Sequence, residues 1–225
     1  MSFFASSTLL SLKLAGVTAL LLLPVSLFLG RWLAVTSWRG RTAIEALVML
    51  PLVLPPTVLG YYLLIGLGRQ SWPGRLFESL TDQTLVFSFE GLVIASWLFN
   101  LPFAVQPAQR AFSAIPAALR EAAWTCGLSA WKTFLKIELP LAWPGILTAL
   151  VLTFAHTLGE FGVVLMVGGN IPDETQTLAI TIYDRVQAFD FEAANHLSLA
   201  LLLFSFVSIA AIYALSQYQE RWKPR

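Results

Sequence analysis

The sequence predicts an all-α fold, a polytopic membrane helical bundle of about five transmembrane helices in a single domain spanning residues 1–225. Three observations carry this. The chain is 57% hydrophobic and 12% charged, against about 25% charged in soluble domains, and its mean hydropathy is +0.72. Its apolar residues fall into five runs long enough to cross a bilayer core, cut apart by polar connections. Its basic residues gather in alternate connections. The net charge of +1 decides nothing by itself. No long basic stripe, phosphate-cradling Gly-rich loop or metal-ligand cluster occurs in the sequence. ATP hydrolysis and nucleic-acid binding by this chain alone are therefore not expected, and neither is a cofactor or metal. The single cysteine, Cys126, excludes an internal disulfide.

The first run, 9–30, carries one charge, Lys13. It lacks the preceding basic residue and A-x-A site of a cleaved signal, so a retained helix is expected. Arg31, Arg39 and Arg41 follow in a short connection. The second run, 45–67, holds Pro51, Pro55 and Pro56 with Gly60 and Gly66. Each proline removes a backbone donor, so a broken helix facing the bundle interior is expected. Residues 69–90 form a polar connection with a turn signal at Trp72-Pro73-Gly74. The third run, 85–105, contains Glu90, Asn100 and Pro102, and Pro107 and Arg110 lie just beyond it. The fourth, 141–167, contains His156 and Glu160 among Gly159, Gly162, Gly168 and Gly169. Residues 170–195 are polar and acidic, with a short helix expected over 178–186 and His196 at the far edge. The fifth run, 197–215, leads to a basic tail. No internal repeat or low-complexity segment interrupts this order.

Between the third and fourth runs lies a charged hairpin, 110–140. Pro116 suits the start of a helix and Gly127 the left-handed position that ends one. Ser129 can cap a second helix through Lys136, and Pro140 predicts that Leu139 leaves helical geometry. Leu119, Ala122, Ala123 and Cys126 recur at helical spacing and give the first helix an apolar face for a partner.

Two groups of residues invite chemistry. His156 and Glu160 lie four apart, on one helical face. They can be a metal or acid–base pair of an intramembrane enzyme, a polar pair at a transporter gate, or, for Glu160, a carboxylate near the outer interface. The second group is the proline break Pro55-Pro56-Thr57.

The spacing Glu121-Ala122-Ala123, three residues, Gly127, nine residues, Ile137, one residue, Leu139-Pro140 resembles the EAA loop of ABC importer permeases. The run from Leu50 to Tyr61, the segment Thr157-Leu158-Gly159-Glu160-Phe161-Gly162 and the loop after Gly168 are similar to the molybdate permeases of that family, with sulfate and tungstate permeases as close alternatives. The departure is Asp173, where glycine is expected. The resemblance implies a type I permease fold, with Glu121, Ala122, Ala123, Gly127, Ile137, Leu139 and Pro140 in a cytoplasmic loop that docks on an ATPase. It implies a homodimer, two ATP-binding cassette subunits and an extracytoplasmic molybdate-binding protein. Pathway or gate candidates are Pro55, Pro56, Thr57, His156, Thr157, Gly159, Glu160 and Gly162. No Lys or Arg lies at mid-depth in any run, so hydroxyls of Thr57, Thr153 and Thr157, or freed backbone donors, are left to meet an anion. Selectivity then belongs mainly to the binding protein.

Ten basic residues, Arg31, Arg39, Arg41, Arg110, Arg120, Lys132, Lys136, Arg221, Lys223 and Arg225, fall on one side of the predicted bundle. The opposite connections hold Arg69, Arg75 and Arg185. The positive-inside rule predicts a multi-pass protein of the inner membrane, surrounded by lipid, with the hairpin and C-terminus cytoplasmic and the N-terminus outside.

Overall fold

The computed structural model describes residues 2–220, which form eleven α-helices and no strand. Helix α1 (Ser2–Val35) has 34 residues, a length of about 50 Å, and outruns the predicted 9–30 at both ends. Its buried residues Leu14, Thr18, Leu22, Ser26 and Leu33 recur at helical spacing and face α5 and α8.

The second apolar run is two helices, α2 (Arg41–Val53) and α3 (Pro56–Leu67), bent by 108°. Leu54 and Pro55 between them are extended, with ψ of 139° and 135°. Each precedes a proline, whose ring excludes the helical conformation from its predecessor. The pair still runs from one end of the bundle to the other. Glu45, near the start of α2, accepts a hydrogen bond from Gln109 Nε2 (2.6 Å) late in α5. Leu67, at the end of α3, packs on Leu85 and Val86 just before α5 begins.

The Trp72-Pro73-Gly74 signal starts a helix, α4 (Trp72–Thr81), where the sequence predicts only a turn. Ser71 Oγ accepts from Gly74 N–H (3.1 Å), and proline is harmless in a first turn because that N–H has no helical partner. Helix α5 (Phe89–Ser113), capped by Ser88, passes Pro102 and Pro107 without a break.

The hairpin is α6 (Ala117–Thr125) and α7 (Ala130–Thr133), the latter capped by Ser129. The expected exit of Leu139 from helical geometry does not occur. Leu139 is helical (φ −62°, ψ −47°), and a wide turn over Phe134–Glu138 joins α7 to α8 (Leu139–Gly159). There Leu139 N–H donates to Phe134 O five residues back, and this extra residue in the turn lets the chain pass Pro140.

The predicted single run 141–167 is also broken. Helix α8 ends at Gly159, Glu160 and Phe161 leave helical geometry, and α9 (Gly162–Gly168) follows. Helix α10 (Leu178–Gln187) is not a free part of a solvated loop. Its first N–H donates to Ser11 Oγ of α1 (2.8 Å), and Leu178, Ile180 and Thr181 are buried. Helix α11 (Phe191–Glu220) begins before the predicted 197. The basic tail residues Arg221, Lys223 and Arg225 lie outside the described residues.

Helices α1, α5 and α8 make the central three-helix packing, α2 lies on α5, and α3 lies on α9. Helix α11 touches α8 through Phe204 and Phe154 (6.0 Å) and leaves Leu199, Leu202, Phe206 and Val207 exposed.

Candidate functional site

The hairpin carries the first group of predicted residues. Gly127 has φ +80°. Gly127 N–H donates to Trp124 O (2.9 Å) and Leu128 N–H to Ala123 O (3.0 Å), the paired closure that requires a left-handed residue after a helix. Of the apolar face Leu119, Ala122, Ala123 and Cys126, only Ala123 is buried. Glu121 and Ala122 are exposed, as are Trp124 and Trp131. Ile137 and Leu139 are half-buried and Pro140 is exposed. The hairpin therefore presents an apolar surface with no partner within the described chain.

Beneath it lies a charged cluster that the motif did not single out. Glu138 is fully buried. Its carboxylate accepts from Arg120 Nε (2.6 Å) of α6 and from Arg31 Nε of α1. Arg120 also donates to Phe112 O (2.9 Å) and Ile115 O (3.4 Å) at the close of α5. A lone Glu among apolar residues just before Leu139-Pro140 is the signal that was available in the sequence.

The second group gathers at the two helix breaks, which lie against each other. A Cβ on Gly162 would stand 2.8 Å from Pro56 Cβ, so only glycine lets the start of α9 approach the start of α3 this closely. Pro55, Pro56 and Thr57 are exposed beside this contact, as is Gly159. Of the three hydroxyls expected to meet an anion, only Thr57 is exposed. Thr153 and Thr157 are buried in the bundle, and Thr157 Oγ1 donates to Thr153 O (2.8 Å) of its own helix.

His156 and Glu160 do not pair directly. Asn100 of α5 stands between them, its Nδ2 donating to Ser96 O (2.8 Å) and to Glu160 Oε2 (3.1 Å). Its Oδ1 is left to accept, so the His156 Nδ1–H donates to it (2.9 Å). The imidazole is stacked on Phe103 (4.0 Å). Glu160 is 4% exposed. It belongs to the bundle interior, held by Asn100 of α5. Asn100 is absent from the residues nominated by sequence, although a buried amide in a span is itself a signal.

The bundle has two chemically different ends. Lys13, Arg69, Glu90, Asp173 and Glu174 line one open cavity of about 490 Å³. Arg110 and Gln106 line a groove of about 730 Å³ between α5 and α8 toward the other end.

The family described as binding-protein-dependent transport system inner membrane component matches residues 26–223. The molybdenum transport system permease protein ModB of Azotobacter vinelandii is 49% identical over 210 residues, 93% of each chain. A protein of Chlorella vulgaris named "Probable sulfate transport system permease protein cysT" is 34% identical over 78% of this chain and 65% of its own. Among solved structures, a bacterial alginate ABC transporter in complex with its alginate-bound periplasmic protein superposes with a TM-score of 0.76 at 17% identity, over 97% of this chain and 80% of that one. At that identity the likeness is one of fold.

Proposed function

The chain belongs to the family of binding-protein-dependent transport system inner membrane components, and from that premise we propose that it is the permease subunit of an ATP-driven importer carrying molybdate across the cytoplasmic membrane. The chain is a multi-pass membrane protein that works with ATPase and substrate-binding partners and is not catalytic by itself. The observation that carries this reading is the exposed hairpin of α6 and α7, built on the spaced residues Glu121, Ala122, Ala123 and Gly127, with an apolar face that its own bundle leaves uncovered. Its partner in this reading is an ATPase subunit, one for each chain of a homodimer, and the C-terminus lies on the same cytoplasmic side. An extracytoplasmic molybdate-binding protein delivers the ion to the opposite end. Molybdate is chosen over sulfate because the molybdenum permease relative is nearer in sequence than the sulfate permease relative.

The pathway reading places the ion at the paired breaks, where Pro55, Pro56 and Thr57 meet Gly159, Glu160 and Gly162. An oxyanion there encounters a threonine hydroxyl and helix starts in place of Lys or Arg, which suits brief passage over tight capture. The Asn100-bridged pair of His156 and Glu160 fixes α8 to α5 directly beside the break.

The test is uptake into vesicles holding the reconstituted complex, with ATP inside and loaded binding protein outside. Molybdate accumulation that requires ATP, is competed by tungstate and is resisted by a large excess of sulfate is the expected result. Accumulation of sulfate with no molybdate uptake overturns the substrate assignment.

A further inference from the structure

We propose that Glu138 is a positioning residue for transport, a buried anionic link through which displacement of the hairpin reaches the membrane helices. The proposal rests on reading α6 as the ATPase-docking element. Three observations support it. First, α6 has almost no apolar hold on the bundle. Only Ala123 is buried among its apolar residues, and its substantial packing is on the neighbouring α7. Second, what ties it down is Arg120, which grips the Glu138 carboxylate and the Phe112 and Ile115 carbonyls in one guanidinium. Phe112 lies in the last turn of α5 and Ile115 two residues past its end, so Arg120 holds α6 against the point where α5 closes. Third, the same carboxylate is gripped from the other side by Arg31, at the cytoplasmic end of α1 in the proposed orientation, whose guanidinium also lies over the Phe134 ring (5.4 Å). One buried side chain thus joins α1, the close of α5, α6 and the turn that opens α8.

The chemistry suits transmission better than mere cohesion. A guanidinium is planar and stiff, and its fork on a carboxylate fixes direction as well as distance. Burial raises the cost of parting the charges, so α6 and the start of α8 move together. An apolar seat would tolerate sliding. Without the carboxylate, two guanidiniums face each other with no counter-charge, and the link fails where the hairpin meets the bundle.

Glu138→Gln keeps the shape and removes the charge, and Arg120→Lys keeps the charge but loses the simultaneous grip on the carboxylate and the Phe112 and Ile115 carbonyls. Both variants are assembled with the ATPase and binding protein in vesicles and measured for ATPase co-purification, ATP hydrolysis and molybdate uptake. For Glu138→Gln the expected result is wild-type co-purification, hydrolysis near wild type and uptake per ATP lowered about tenfold. Arg120→Lys is expected to fall between, and Glu138→Asp to recover most of the uptake. Wild-type uptake per ATP in Glu138→Gln overturns the proposal. So does an uptake loss that merely tracks lost ATPase association, since that marks Glu138 as a folding residue alone. If Gly127→Val leaves co-purification and uptake unchanged, the docking reading of α6 falls instead, independently of Glu138.

Discussion

Asn100 shows how one residue can set the relation between two others. By donating to Glu160 and accepting from His156, it ties His156 of α8 and Glu160, the first residue past the end of α8, to α5. Asn100→Leu fills the volume but strips the carboxylate of this donor, at about 1–3 kcal/mol for an unsatisfied buried group. The melting temperature of the purified chain in detergent is expected to fall, and to fall further for Asn100→Asp, which sets two carboxyl groups face to face. Equal melting of all three chains would show that the bridge contributes nothing. Asp173 is a second informative residue. The resemblance calls for glycine there, and the aspartate nevertheless holds a left-handed φ of +65°. Asp and Asn bear that conformation better than other side chains, yet it still costs about 1 kcal/mol. Asp173→Gly is expected to raise the melting temperature slightly with uptake unchanged; a lower melting temperature would mean that the carboxylate itself is needed in the outer cavity.

At the scale of elements, two glycines divide the proposed machine. Gly127 has open space around its would-be Cβ, so the harm of a substitution there is purely conformational. Gly127→Val is expected to cost about 1–2 kcal/mol at the left-handed position, to weaken ATPase recovery in a pull-down and to abolish uptake. Gly127→Asn, which accepts that conformation, is expected to retain both. If Val and Asn behave alike, conformation is not the reason for the glycine. Gly162 fails sterically. A larger residue drives α9 off Pro56, so Gly162→Val is expected to lose uptake while the ATPase still co-purifies. Loss of co-purification in Gly162→Val would place the effect in assembly and remove the pathway reading of the breaks.

For the molecule as a whole, orientation is the quantity to test. The structure groups Lys13, Arg69 and Asp173 at one end and Arg31, Arg120 and Glu138 at the other. In the proposed topology, which follows from the ten basic residues against three in the sequence, the second end is the cytoplasmic one. On a Cys126→Ser background, Arg39→Cys is expected to react with an impermeant maleimide only from the cytoplasmic side, and Asp173→Cys only from outside. Both positions are exposed, so access is limited by the membrane alone. The reversed pattern would invert the proposed topology, and with it the docking side of the hairpin.

The sequence by itself determined that this is a helical membrane bundle, because hydropathy and charge distribution act residue by residue and need no partner to be read. It also determined the hairpin's local geometry: Gly127 and Ser129 act on their own backbone neighbours, within a turn of themselves. Tertiary structure decided the rest. Whether Pro140 stops a helix depended on a wide turn just before it, whereas the helix at Trp72-Pro73-Gly74 is capped locally by Ser71 and was legible in the sequence as the Ser129 cap was. The break at Glu160 was hidden inside an apolar run that composition reads as continuous. Above all, Asn100 lies 60 positions from Glu160 and Arg31 lies 107 from Glu138. Buried polar groups must find partners, but which partner each one finds is set only when the helices that carry them are packed.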